Sequence, residues 1–127
     1  MRALDTNVLV RLVTRDDRKQ VAAAESFVSK GAWVVSTLVL VEATWVLTAM
    51  YEPTHAEMAT AIDMLLHHRD LTLQESDSVA VALEQYRSRS ALGFSDCLIL
   101  EIARKAGHLP LGTFDRDLSK LDGAERL

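Results

Sequence analysis

Four acidic residues stand out by the company they keep: Asp5 in Leu4-Asp5-Thr6-Asn7, Glu42 in Val41-Glu42-Ala43, Asp96 in Phe94-Ser95-Asp96-Cys97, and Asp115 in Thr113-Phe114-Asp115-Arg116. Glu42 is the only charge between Thr37 and Met50. On a helix it shares a face with Leu38, Trp45, Val46 and Ala49. An ionised carboxylate on a buried face is costly unless paired or bound to metal. The structural alternative puts Glu42 on a thin solvent-facing side of a mostly buried helix. Asp5, Asp96 and Asp115 each fall where a helix is expected to begin, so each alone is explained as a cap or a first-turn acid. Together they require a reason for acids to recur at strand-to-helix junctions, the edge of a parallel sheet where ligands bind.

Carboxylates gathered at such an edge repel one another and raise the pKa of at least one of them unless a cation is present. Hard, oxygen-seeking Mg²⁺ or Mn²⁺ suits the cluster, with water and phosphate oxygens completing the shell. The chemistry that follows is phosphodiester hydrolysis, with metal-activated water as the nucleophile and a free carboxylate as proton acceptor. Zinc is disfavoured, because Cys97 is alone and His55, His67, His68 and His108 lack ligand spacing. His67 and His68 are neighbours on a helix, so their rings diverge and a surface role is expected. No Ser–His–Asp set is evident, which argues against a covalent intermediate. Asp117 competes with Asp115 for the fourth position, although two residues on it is expected to point elsewhere.

The elements that must position these acids read as alternating strands and helices. Arg2 to Asp5 is expected as a strand, followed by a helix capped at Thr6 or Asn7 with Val8, Leu9, Leu12 and Val13 inward. Asp16 or Asp17 caps a helix to about Ser29 that presents Val21, Ala24, Phe27 and Val28, and Gly31 stops it. Trp33 to Val35 is a second strand, Ser36 or Thr37 caps a very apolar helix to Met50, and Pro53-Thr54 opens a helix to about His68 with Met58, Ile62, Leu65 and Leu66 inward. Leu71 to Leu73 is a third strand. Helices from Ser76 to Arg89 and from Asp96 to Ala106 follow, the latter ending at Gly107. Leu109 to Thr113 is a fourth strand, Asp115 to Leu121 a short helix, and Ala124 to Leu127 a last edge strand. Strands separated by helices imply parallel pairing through right-handed crossovers. One domain over residues 1–127 is expected.

The chain has 127 residues, 49% hydrophobic and 25% charged, which excludes a disordered chain, and 5 Gly with 2 Pro, which disfavours turn-dense all-β architecture. No apolar run approaches the roughly 20 residues that cross a bilayer, and Met1 to Asp5 reads as structure rather than a leader. A single cysteine cannot form an internal disulfide, so a reducing cytoplasm is expected. The net charge of −4 does not advertise nucleic-acid binding, yet carboxylates around a cation would make that sum a poor guide to the local field.

The ordered set Leu4-Asp5-Thr6-Asn7-Val8-Leu9, Ser36 with Val41-Glu42, Phe94-Ser95-Asp96-Cys97-Leu98 and Thr113-Phe114-Asp115-Arg116-Asp117-Leu118 resembles the PIN-domain ribonucleases, and among them the VapC-type toxins of bacterial toxin–antitoxin pairs. The resemblance runs through essentially the whole chain. It implies a three-layer α/β/α fold around a central, mainly parallel sheet of four to five strands. It implies Asp5, Glu42, Asp96 and Asp115 as catalytic metal ligands for Mg²⁺ or Mn²⁺, with Thr113 as the hydroxyl residue beside them. It also implies an RNA substrate cut to 5′-phosphate and 3′-hydroxyl ends, a homodimer, and a cognate antitoxin whose C-terminal segment occupies the acidic cleft.

RNA contacts would draw on Arg11, Arg15, Arg87, Arg89 and Arg116, with Arg116 foremost because it adjoins Asp115; solvated helix surface is the plain alternative. Trp33 and Trp45 lie in apolar runs and are expected in the core. Met50, Met58 and Met64 are expected in the core or on an apolar dimer surface. Two competing functions are a non-catalytic PIN-like interaction module and another Mg²⁺-dependent phosphoryl-transfer domain. The first would be expected to have lost an acid. The second would want an acid two residues after Asp5, where Asn7 stands, or an acid pair beside Asp5 with a late lysine.

Overall fold

A computed structural model describes all of residues 1–127 and holds two compact units, residues 1–74 and 75–127. In the first, β1 (Arg2–Ala3), α1 (Thr6–Thr14), α2 (Arg18–Val28), β2 (Trp33–Val35), α3 (Thr37–Tyr51), α4 (His55–Leu66) and β3 (Leu71–Leu73) follow in order. Their strands form a parallel sheet in the order β1-β2-β3, with Trp33 opposite both Arg2 and Leu71. The second unit contains α5 (Ser76–Ser88), α6 (Phe94–Ala106), β4 (Leu111–Thr113), a 3-10 turn (Leu118–Lys120) and β5 (Ala124–Arg126). Here β4 and β5 pair in parallel, Leu111 opposite Ala124. Every strand pair is therefore parallel, as expected, but the five strands are shared between two ladders rather than one.

Helix starts follow local chemistry. Asp5 caps α1, Asp17 caps α2 and Ser36 caps α3 by accepting N–H bonds from Val8, Gln20 and Val39. Thr54 and Glu57 form a reciprocal capping box on α4. α1 thus begins at Thr6, one residue earlier than a Thr6 cap requires and two earlier than an Asn7 cap. Ser76 is not a cap either: Glu75 holds that place in left-handed conformation without a side-chain bond, and Ser76 opens α5. α6 likewise starts two residues early, at Phe94, and ends at Gly107, whose φ of +79° favours glycine. The expected helix over Asp115 to Leu121 is only the 3-10 turn.

The core of the first unit is built by Leu9 and Val10 of α1, Leu40 and Leu47 of α3, and Met58 and Ile62 of α4, all buried and gathered around one narrow void. Burying each such side chain is worth roughly 1.5–3 kcal/mol. Trp33 is buried, with its ring edge-on to His68 at 5.4 Å. Trp45, expected beside it in the core, is instead 59% exposed. The reason is which stripe α3 buries: Leu40, Ala43, Thr44 and Leu47 point inward, and at 100° per residue Leu38, Glu42, Trp45 and Ala49 fall on the opposite side. Phe27 is also partly exposed, its ring covered by the Arg2 guanidinium 4.1 Å from the centroid. Met58 is buried, whereas Met50 and Met64 face solvent.

In the second unit, α5 and α6 pack through Val79, Ala82, Leu83 and Tyr86 on one side and Phe94, Cys97, Leu98 and Leu100 on the other, all buried. The Tyr86 and Phe94 rings meet edge to face at 6.1 Å.

Candidate active site

Asp5 follows β1 directly and uses Oδ1 to accept the Val8 N–H at 3.1 Å, which fixes its side chain at the start of α1. Oδ2 makes no bond within the protein. The next residue, Thr6, is buried, and its hydroxyl donates to Glu42 Oε1 at 2.5 Å. The first turn of α1 and the second turn of α3 are thereby joined at the two acids that the sequence singled out. Glu42 lies on the exposed face of α3. Of the two placements the sequence left open, the solvent-facing one is found: α3 is apolar nearly all round, and packing alone chooses the inward stripe.

Asp96 is the third residue of α6 and is half-buried. Its carboxyl is pushed above the ordinary carboxylate range, first by burial and then by the negative charge of Asp115. The junction before it connects two helices, α5 and α6, rather than a strand and a helix; residues 89–93 form a turn there because α5 packs straight onto α6.

Asp115 stands two residues past β4. Its own N–H donates to Thr113 Oγ1 at 3.0 Å, and its Oδ1 accepts from the N–H groups of Asp117 at 2.8 Å and Leu118 at 3.1 Å. One carboxylate oxygen thus caps the 3-10 turn while Oδ2 is left for a ligand. Asp117 pairs with Lys120 at 3.6 Å, and the acid whose charge acts on Asp96 is Asp115. Arg116 is exposed and makes no ion pair.

The four acids are distributed two and two between the units; the Thr6 hydroxyl bonds the Glu42 carboxylate, whereas Thr113 Oγ1 accepts the backbone N–H of Asp115. No group of three or more His, Cys, Asp or Glu side chains is arranged as a metal site.

Two features of the second unit were not anticipated. Phe114, directly before Asp115, is 81% exposed; an aromatic next to the acid was visible in the sequence, but its exposure was not. Glu101 is buried, accepting from Arg104 Nε at 3.1 Å and from Gln85 Nε2 at 3.1 Å, while the Arg104 guanidinium also donates to the Asp122 carbonyl. The Glu101-x-x-Arg104 spacing signals such a pair on a helix, although nothing local signals its burial.

A sequence model of the family described as PIN domain matches residues 2–124. Among solved structures, the chain is distantly similar to the crystal structure of the sarcin–ricin loop cleaving toxin VapC20 of Mycobacterium tuberculosis, at 20% identity, with 98% of each chain covered and a TM-score of 0.45. No curated protein matches the chain.

Proposed function

The chain belongs to the PIN-domain family, and from that premise we propose that it is a divalent-metal-dependent endoribonuclease, the toxin of a VapC-type toxin–antitoxin pair. The observation that carries this reading is the Asp96–Asp115 pair: Asp96 is half-buried, and after burial the charge of the nearby Asp115 carboxylate is what raises its carboxyl above the ordinary range. Such repulsion is relieved by a cation. The donors fit a hard one: they are carboxylates, one of them held by the Thr6 hydroxyl. The one soft ligand, Cys97, is buried with its thiol pushed up to about 11, chiefly by burial. The sequence resemblance implies Asp5, Glu42, Asp96 and Asp115 as the residues that would hold Mg²⁺ or Mn²⁺. Bound there, the ion supplies Lewis-acid activation of water and neutralisation of charge at the phosphate.

The remaining steps belong to the chain's own groups. Thr6 holds Glu42 Oε1, and the turn after Asp115 holds Asp115 Oδ1, so both carboxylates are oriented before substrate arrives. A carboxylate oxygen of the four acids that the ion leaves free is suited to accept the proton of the attacking water. The unpaired Arg116 guanidinium, next to Asp115, is suited to grip a phosphate oxygen. Exposed Phe114 offers a face on which a base can stack, which favours single-stranded RNA.

The homodimer is what the sequence resemblance implies. The antitoxin partner rests on the sequence resemblance. No helix is long and apolar enough to cross a membrane, and the single cysteine supports a reducing cytoplasm.

The test is cleavage of mixed-sequence oligoribonucleotides by purified protein freed of any antitoxin. Cleavage is expected with Mn²⁺, none with chelator, and none for Asp5→Asn. Wild-type rates in that variant, or cleavage that ignores chelator, overturn the reading. A non-catalytic interaction module predicts no cleavage under any of these conditions.

A further inference from the structure

We propose that a polar hollow built by the two segments next in sequence to Asp96 and Asp115, carrying Arg89 and Lys120, is a subsite for a phosphate of the RNA backbone. It rests on the ribonuclease reading and adds where the strand runs as it leaves the carboxylates.

Arg11 is engaged by Asp16 and Gln20, Arg15 by Glu25, and Arg87 by Glu84. Arg89 and Arg116 make no ion pair, and Arg89 lines a hollow of about 250 Å³. That volume is below the usual range for a drug-sized ligand and suits a phosphate with part of its ribose.

The walls of this hollow lead into the two acids. One wall is the turn between α5 and α6, from Ser88 to Leu92, closed by the Leu92 N–H donating to the Arg89 carbonyl at 3.2 Å. Asp96 comes four residues after it. The other wall is Asp117 and Lys120, the 3-10 turn that Asp115 caps through its own Oδ1. The hollow is thus continuous along the chain with the segments that carry Asp96 and Asp115.

The charge fits an anion. Asp117, the one acid of the hollow, is already paired with Lys120 at 3.6 Å, a long and exposed contact of little strength. Arg89 is left with its charge unmatched. It stands at the C-terminal end of α5, where the helix dipole favours a cation. Its fork can take two phosphate oxygens at once, while Lys120 adds a point charge. The Ser90 hydroxyl and N–H have no partner within the protein and add short-range donors.

The experiment measures steady-state cleavage of one mixed-sequence oligoribonucleotide in Mn²⁺ over a salt series, for wild type, Arg89→Gln, Lys120→Gln, Arg89→Lys and Arg18→Gln. Arg18 is exposed on α2 and serves as a control for net charge. Expected is a severalfold rise in KM with kcat kept for Arg89→Gln and Lys120→Gln, and a log–log salt slope shallower by about 0.7 for each lost contact. Arg89→Lys should stand between these and wild type, and Arg18→Gln should match wild type. Unchanged KM and slope in both glutamine variants, an equal effect in Arg18→Gln, or a fall in kcat with KM unchanged overturns the subsite. Absence of cleavage by wild type would instead sink the ribonuclease reading itself, so the two failures are distinguishable.

Discussion

The Thr6 hydroxyl donates to Glu42 Oε1 at 2.5 Å across 36 residues of sequence. The bond joins a buried side chain in the first turn of α1 to an exposed carboxylate on α3, and Asp5 is the residue next to it. Thr6→Val keeps the shape and removes the donor. Loss of an orienting partner of this kind costs about 10- to 100-fold in metal affinity or activity. Expected is a smaller rise in Tm with Mn²⁺ than wild type shows at the same concentration, measured by calorimetry. An unchanged Mn²⁺-dependent shift would mean that Thr6 does not orient Glu42.

Asp96 makes the apo protein's stability depend on pH in a defined sense. Its native pKa is raised, by burial and then by Asp115, so between the unfolded value of about 3.9 and the raised native value the folded state binds more protons than the unfolded one. Stability then falls as pH rises through that window, and the loss persists above it. Asp96→Asn removes the ionisation. In chelator, the variant should unfold at higher urea than wild type at pH 7, with the gap closing below the unfolded value. It should also fail to cleave RNA. A gap that does not depend on pH would contradict the assignment.

Phe114 is exposed beside Asp115. Base stacking on such a ring is worth about 1–3 kcal/mol. Phe114→Ala should raise KM for an oligoribonucleotide by about tenfold, the factor that 1.4 kcal/mol gives, and leave the Tm of the free protein within about 1 °C. Equal KM values would show that the ring does not touch the substrate.

Cys97 is fully buried and its thiol is pushed up to about 11, first by burial and then by Asp96 and Glu101. The thiolate is the reactive form. Iodoacetamide at pH 8 should leave the native protein unlabelled on a timescale in which the urea-unfolded chain reacts fully, as mass spectrometry would read. Equally rapid labelling would place the thiol in contact with solvent.

The Glu101 carboxylate is buried and held by Arg104 and Gln85. Arg104→Met leaves that charge without its cation, which costs on the order of 3 kcal/mol, the low end of the range for a buried pair because the guanidinium is partly exposed. Adding Glu101→Met should recover most of the loss. Urea titrations of the two variants decide it. A double variant no better than the single would show that the buried charge is not the cause.

Local chemistry made much of this molecule legible from the sequence. Asp17, Ser36 and Thr54 cap helices because an N-cap needs only an oxygen and the next few N–H groups, all of them in the same short segment. The strands at Trp33 to Val35 and Leu71 to Leu73 and the stop at Gly107 were readable from equally short segments. Which side of α3 faces inward was not. That helix is apolar nearly all round, so periodicity carries no direction, and the inward stripe of Leu40, Ala43, Thr44 and Leu47 is chosen by contact with α1 and α4. The same contact turned Trp45 and Glu42 outward and brought the Thr6 hydroxyl to Glu42. The effect of Asp115 on Asp96, and the burial of Glu101, also arise between segments distant along the chain. Hydrogen bonds within a turn are set by spacing, whereas burial and the electrostatic field at a carboxyl group depend on everything packed around it.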